Sequence, residues 1–248
     1  MADWNDTRQT QAGFGSVPRA GGAVARQASY DMGLRAHMLK IYNYMASAVL
    51  LSGIVALLFQ DVAEQLMLTG SPLMWVIMLA PLGFVFAISL GTNRFSTTTL
   101  QALFWAFATV MGLSLSTIFT VYTGESIAAT FFATAGAFAG LSLFGYTTKK
   151  DLSGFGTFLI MGVIGLVIAM LLNTFLIQSG PLSMAISFIG VLIFAGLTAY
   201  DTQRLKREYE YLRGTEFAGK AVILGALSLY LDFINMFQFL LSFMGQRD

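Results

Sequence analysis

The chain has 248 residues, of which 56% are hydrophobic and 11% charged, with a net charge of +1 and no cysteine. Soluble domains carry about 25% charged residues, so this chain has too little polar surface to face water all round. The near-neutral balance excludes a nucleic-acid footprint, the missing cysteines exclude disulfide and thiolate chemistry, and the single histidine, His37, cannot build a zinc site alone.

In chain order, residues 1–36 are polar and glycine-dotted, with Arg8, Arg19, Arg26 and Arg35 scattered through them. That composition predicts a flexible cytoplasmic tail. The first apolar run begins near residue 38, too far along for a cleavable signal peptide. Residues 37–248 are expected to form one all-α transmembrane domain. Seven segments reach the length that crosses a hydrocarbon core, over residues 38–59, 73–91, 98–122, 126–146, 154–176, 183–203 and 220–244. They are apolar on all sides, which favours helices over the alternating strands of a barrel.

The connections orient the bundle. Basic residues fall in the tail through Lys40, then at Arg94, at Lys149 and Lys150, and at Arg204, Lys206, Arg207, Arg213 and Lys220. The other connections hold none, leaving only Arg247 at the far end. The positive-inside rule then puts the N-terminus in the cytoplasm and, after seven crossings, the C-terminus outside. Gly136-Ala-Phe-Ala-Gly140 has the spacing that lets two helix backbones approach closely, and packing within the monomer is preferred over dimerisation. Asp61, Glu64 and Glu125 are expected in exposed outer loops, and Asn173 is read as a helix-packing hydrogen bonder.

Asp232 is the only charged residue between Lys220 and Arg247. A lone carboxylate in such a segment costs roughly 2.5–3.5 kcal/mol on insertion scales, so it needs a partner or a task. Ser228, Asp232, Asn235 and Ser242 share one face at helical spacing, and this stripe should face the bundle interior or a watery path. It serves either as a polar path or as a hydrogen-bonded structural seam. Asp201 lies near the end of the sixth segment, three residues before Arg204. It reads as an interfacial carboxylate, as a partner for a nearby basic residue, or as a functional neighbour of Asp232. Two carboxylates meeting in low dielectric cannot both be ionised cheaply, so they would share a proton and act as a proton-sensitive latch. Arg94, near the end of the second segment, offers either a compensating charge or an ordinary topogenic arginine. One difficulty remains: Asp232 lies about 18 Å of helix past Lys220, whereas Asp201 sits near the expected interface.

Three stretches, Lys149-Lys-Asp-Leu-Ser153, Tyr200-Asp-Thr-Gln203 and Ala226-Leu-Ser-Leu-Tyr-Leu-Asp-Phe-Ile-Asn235, resemble the Bax inhibitor motif family of membrane proteins, closest to its bacterial inner-membrane branch. The resemblance covers residues 36–245. It implies a fold with the seventh helix central to the other six, and a pH-sensitive calcium leak gated by two aspartates that match Asp201 and Asp232. Hard cations prefer oxygen ligands, so these two carboxylates are also candidate calcium contacts. The family's latch arginine matches Arg94, although Asn93-Arg94-Phe95 replaces a run of basic residues. No cofactor is implied beyond calcium as the transported ion.

Two other classes compete. An interaction protein without transport activity would use the tail to contact a membrane-anchored quality-control protease, as some bacterial relatives are expected to do. An intramembrane aspartyl protease would also place two aspartates on consecutive helices. Those enzymes need Gly-x-Gly-Asp, whereas this chain reads Tyr230-Leu-Asp232 with no Pro-Ala-Leu following. The chain is therefore not expected to be an enzyme.

Overall fold

A computed structural model describes the backbone of residues 20–247 and side chains from residue 30 onward. Contacts divide the chain after Ala36. Of the first unit, the described part is helical, the opening turns of α1 (Ala20–Leu58). The rest of the expected tail, with the protease contact assigned to it, lies outside the described residues.

The remaining helices are α2 (Gln60–Leu68), α3 (Pro72–Gly91), α4 (Thr97–Leu115), α5 (Gly124–Thr147), α6 (Ser153–Leu172), α7 (Gly180–Leu212) and α8 (Ala218–Met244). A 3₁₀ turn (Ser116–Thr120) extends α4 and a π turn (Asn173–Ile177) extends α6. The described residues contain no strand, only an isolated bridge between Tyr122 and Arg247. Among the described residues, seven helices are long and apolar enough to cross a membrane, with α2 the exception. Asp61 and Glu64, expected in a loop, lie exposed on α2.

Helix starts follow from capping chemistry. Ser71, Ser96, Thr123 and Ser179 each accept a backbone N–H of the following helix through a side-chain oxygen, and proline occupies the first turn of α3 and α7. Between the caps, large apolar side chains cover both the inner and the outer faces. Trp75, Phe86 and Leu90 on α3 and Met161, Ile164 and Ile168 on α6 are all exposed. Such an outer surface suits lipid, where helices satisfy their own backbone groups.

α8 is the most enclosed span. In its most apolar stretch 72% of residues are buried, against 17–39% in the other six. It packs on α4, α5 and α7, and the Tyr230 hydroxyl hydrogen-bonds Ser52 Oγ of α1 at 2.6 Å. The α3–α4, α5–α6 and α7–α8 connections gather at one end. There Lys220 Nζ donates to the Thr92 carbonyl at 3.0 Å, and Lys206 Nζ donates to the Tyr146 carbonyl at 2.9 Å. The C-terminus lies with the opposite connection, where Thr123 N–H donates to the Gln246 carbonyl and Gln246 N–H to Ser126 Oγ.

The glycine pair of α5 does not pack as expected. Gly136 and Gly140 face outward, and a Cβ at either would meet nothing within 4 Å. The close approach is made instead by Gly145, where a Cβ would collide with the Ala199 backbone of α7.

Candidate functional site

α7 continues nine residues past the expected 183–203 segment, to Leu212. Asp201 therefore lies about three turns from the helix end, well inside α7. The hairpin turn spans 213–217, so Asp201 falls level with Ser228 on α8. This removes the depth mismatch anticipated between Asp201 and Asp232.

The geometry at that level is a three-residue knot. Ser228 Oγ–H donates to Asp201 Oδ2. Arg204 Nη2 donates to Ser228 Oγ at 3.0 Å and lies 3.3 Å from Asp201 Oδ2. Arg204 Nε sits 3.4 Å from Glu208 Oε1, but the geometry is not that of a hydrogen bond, and Nε is left without a partner. The basic neighbour of Asp201 is thus Arg204, one turn away on the same helix.

Arg94, the expected latch, is exposed in the α3–α4 turn and makes no ion pair among the described residues. Its turn is held against the first residues of α8 by Lys220, about three turns of helix from Asp232.

Asp232 lies one turn beyond Ser228 and is 5% exposed, and its Oδ2 has no hydrogen-bond partner. The Ser228 hydroxyl, one turn from Asp232 on α8, occupies Asp201 Oδ2. The two acids share a neighbourhood without touching.

The polar stripe of α8 lines a cleft, with Asp232 buried and Ser242 exposed. Ser228, Asp232, Asn235 and Ser242, joined by Gln238, line a cavity of about 610 Å³ between α6, α7 and α8. From Ser228 to Ser242 this wall runs for about 21 Å. Ser183 and Ser187 face it from α7, and Ser187 Oγ–H donates to Ser242 Oγ at 2.9 Å. Near Ser242 the cavity meets Asn173 and Thr174. Asn173 closes its own turn: its Nδ2 donates to Ser183 Oγ at 2.7 Å, and its Oδ1 accepts Ser179 N–H at 3.0 Å. At the other end the cavity stops at Ser228, behind which stand Asp201 and Arg204.

Two of the sequence motifs meet beside this floor. Gln203 Nε2 donates to the Lys150 carbonyl at 2.7 Å, and its Oε1 accepts Leu152 N–H at 2.9 Å. Arg207 bridges Gln203 Oε1 and Asp151 Oδ1. The backbone N–H and hydroxyl of Ser153, then Arg207, hold the Asp151 carboxyl down at about 2. Gln203 and Arg207 thus clamp the α5–α6 turn onto α7, a role that sequence reading missed. A second unforeseen chain, Tyr42 OH to Ser142 Oγ to Thr202 Oγ1, links α1, α5 and α7 through bonds of 2.6 and 2.9 Å. Only the Asp201–Arg204 spacing gave an advance signal, since residues three apart on a helix are neighbours. No group of three or more histidines, cysteines or carboxylates that could hold a metal ion occurs among the described residues.

Comparison with known proteins places this architecture. The family model described as "Inhibitor of apoptosis-promoting Bax1" matches residues 34–248. An uncharacterized protein of Caulobacter vibrioides is 50% identical over 231 residues, covering 88% of this chain and 91% of the relative. The uncharacterized protein RP147 of Rickettsia prowazekii is 44% identical over 228 residues, covering 90% and 95%. The inner membrane protein YbhL of Escherichia coli K12 is 44% identical over 219 residues, covering 87% and 93%. With the family match running from the first span to the last residue, the chain belongs to the Bax inhibitor family of membrane proteins.

Proposed function

We propose that this chain is a proton-sensitive cation leak of the bacterial inner membrane, with calcium as the transported ion and no enzymatic activity. The observation that carries the reading is the α8 stripe. Its polar residues line a cavity about 21 Å long that holds Asp232 and is floored at Ser228 by the Asp201–Ser228–Arg204 knot. Polar groups on an apolar span are costly, and a path for ions is the common reason to keep them. A single carboxylate and a few neutral oxygens hold a hard cation weakly, which suits passage more than retention.

In this reading the knot is the closed gate and α8 is the central post. Asp201 and Asp232 are coupled acids within one turn of each other along α8, so the pair changes charge in steps that belong to both. Loss of the proton adds negative charge beside the knot, loosens α7 from α8 and opens the cavity toward the end where the basic connections gather. Arg204 holds Asp201 in the role expected of Arg94. The clustering of Arg94, Lys149, Lys150 and Lys220 at that end supports a cytoplasmic N-terminus by the positive-inside rule. The name of the Escherichia coli relative supports the inner membrane as the location.

The test is calcium flux into liposomes holding the purified chain, measured across a pH series. Asp201→Asn and Asp232→Asn should each flatten the pH dependence. Flux and pH response identical to the unmodified protein in both variants would refute the mechanism.

A further inference from the structure

We infer that the cavity between α6, α7 and α8 is also a binding site for a lipophilic organic cation, whose charge pairs with Asp232 while its apolar body lies against α6 and α7. This goes beyond the leak and holds whether or not the cavity conducts.

Asp232 supplies the first argument. It is 5% exposed and lines the cavity, and its Oδ2 is enclosed without a hydrogen-bond partner. A buried carboxylate without a partner is costly, and an incoming positive charge relieves that cost. Among the described residues the cavity lining holds no lysine, arginine or histidine, and Arg204, behind the floor, is engaged by Asp201 and Ser228 and makes no ion pair with Asp232.

The opposite wall defines the rest of the ligand. Leu166 and Val167 of α6, Ile186 and Leu197 of α7, and the stacked rings of Phe194 and Phe239, 5.8 Å apart, are apolar. A bare metal ion would leave this wall unused and find a single carboxylate, whereas hard cations seek six or more oxygens. An organic cation with an apolar body matches both walls, and aromatic faces attract cations. The volume of about 610 Å³ falls within the roughly 300–1,000 Å³ of small-molecule sites.

Access comes from the side. Val167 and Met170 are 49% and 42% exposed, and Gln238 across from them on α8 is exposed as well. All three lie within spanning segments and line the cavity. A molecule dissolved in the bilayer reaches Asp232 between α6 and α8 without crossing either mouth of a pore.

The experiment uses tetraphenylphosphonium and tetraphenylborate, which share a shape and differ in the sign of charge. Each is titrated by calorimetry into the full chain in detergent, with no calcium gradient. Saturable binding of the cation and not the anion is expected. Asp232→Asn should weaken it at least about tenfold. Val167→Trp, which fills the apolar wall from an exposed rim position, should weaken it as well. Equal binding of both ions, or cation binding unmoved by both Asp232→Asn and Val167→Trp, overturns the proposal. Because no transport is measured, a protein that binds the cation and passes no calcium overturns the leak alone.

Discussion

Removing one hydroxyl, with Ser228→Ala, should weaken the floor of the cavity more than any other change of similar size. Ser228 Oγ makes two bonds at once, donating to Asp201 Oδ2 and accepting from Arg204 Nη2 at 3.0 Å. Hydrogen bonds between helices in membranes contribute about 0.6 kcal/mol on average and up to about 1.7 kcal/mol. The bond to Asp201 belongs at the upper end, because its acceptor carries charge and is buried. The bond from Arg204 adds less, since that side chain is 36% exposed and solvent screens it. Arg204 also keeps its direct contact with Asp201 at 3.3 Å after the substitution, so the two losses do not simply add.

A net loss of about 1.5 kcal/mol is therefore expected, and about 1.4 kcal/mol corresponds to a tenfold change in an equilibrium. If the knot is the closed gate, the resting calcium leak of liposomes at fixed pH should rise about tenfold, accompanied by a lower unfolding midpoint. A Ser228→Ala protein with unchanged leak and unchanged midpoint would show that the Asp201–Ser228–Arg204 arrangement contributes nothing to closure.

Two further outcomes follow from packing and from charge. Gly145→Ala places a Cβ against the Ala199 carbonyl group, with the carbonyl carbon at 2.9 Å, and backbone cannot turn aside. Overpacking of this kind costs about 1–3 kcal/mol and should lower the unfolding midpoint, whereas Gly136→Ala meets open space and should gain up to about 1 kcal/mol of helix preference. Equal midpoints for the two variants would contradict the α5–α7 contact. For Asp151 the folded carboxyl, at about 2, lies below its ordinary 3.8. Its contribution is thus fully present above 3.8 and is lost only as pH falls through about 2. Asp151→Asn should accordingly leave the pH midpoint of any calcium flux unmoved. A displaced midpoint would place the sensor at the α5–α6 turn and away from Asp232.

What could be read in advance depended on how sharply each feature contrasts with lipid. The seven spans were legible because apolar runs of that length have no other use, and Asp232 was legible because it is the one charge in its span. The α8 stripe was legible for the same reason, as polar residues on an apolar helix define a face. The α5 glycines were not. On a helix that is apolar all round, the face toward lipid and the face toward protein have the same chemistry, so spacing alone could not distinguish Gly136 and Gly140, which look outward, from Gly145, which touches Ala199.

The end of α7 was misread for a related reason. Hydropathy marks where the lipid stops, and Arg204-Leu-Lys-Arg-Glu208 begins there, so the segment was closed at Gln203. Those five residues are nevertheless strong helix formers, and the helix runs on to Leu212. That misplacement hid the main feature of the site. Once α7 is extended, Arg204 is no loop cation free to pair elsewhere. It stands on the same helix face as Asp201, behind Ser228, and contacts both. An arginine three residues from the acid it serves moves with that acid. If the proposed gate operates, its opening separates α7 from α8 as a unit, breaking the bonds to Ser228 while the Asp201–Arg204 pair stays together.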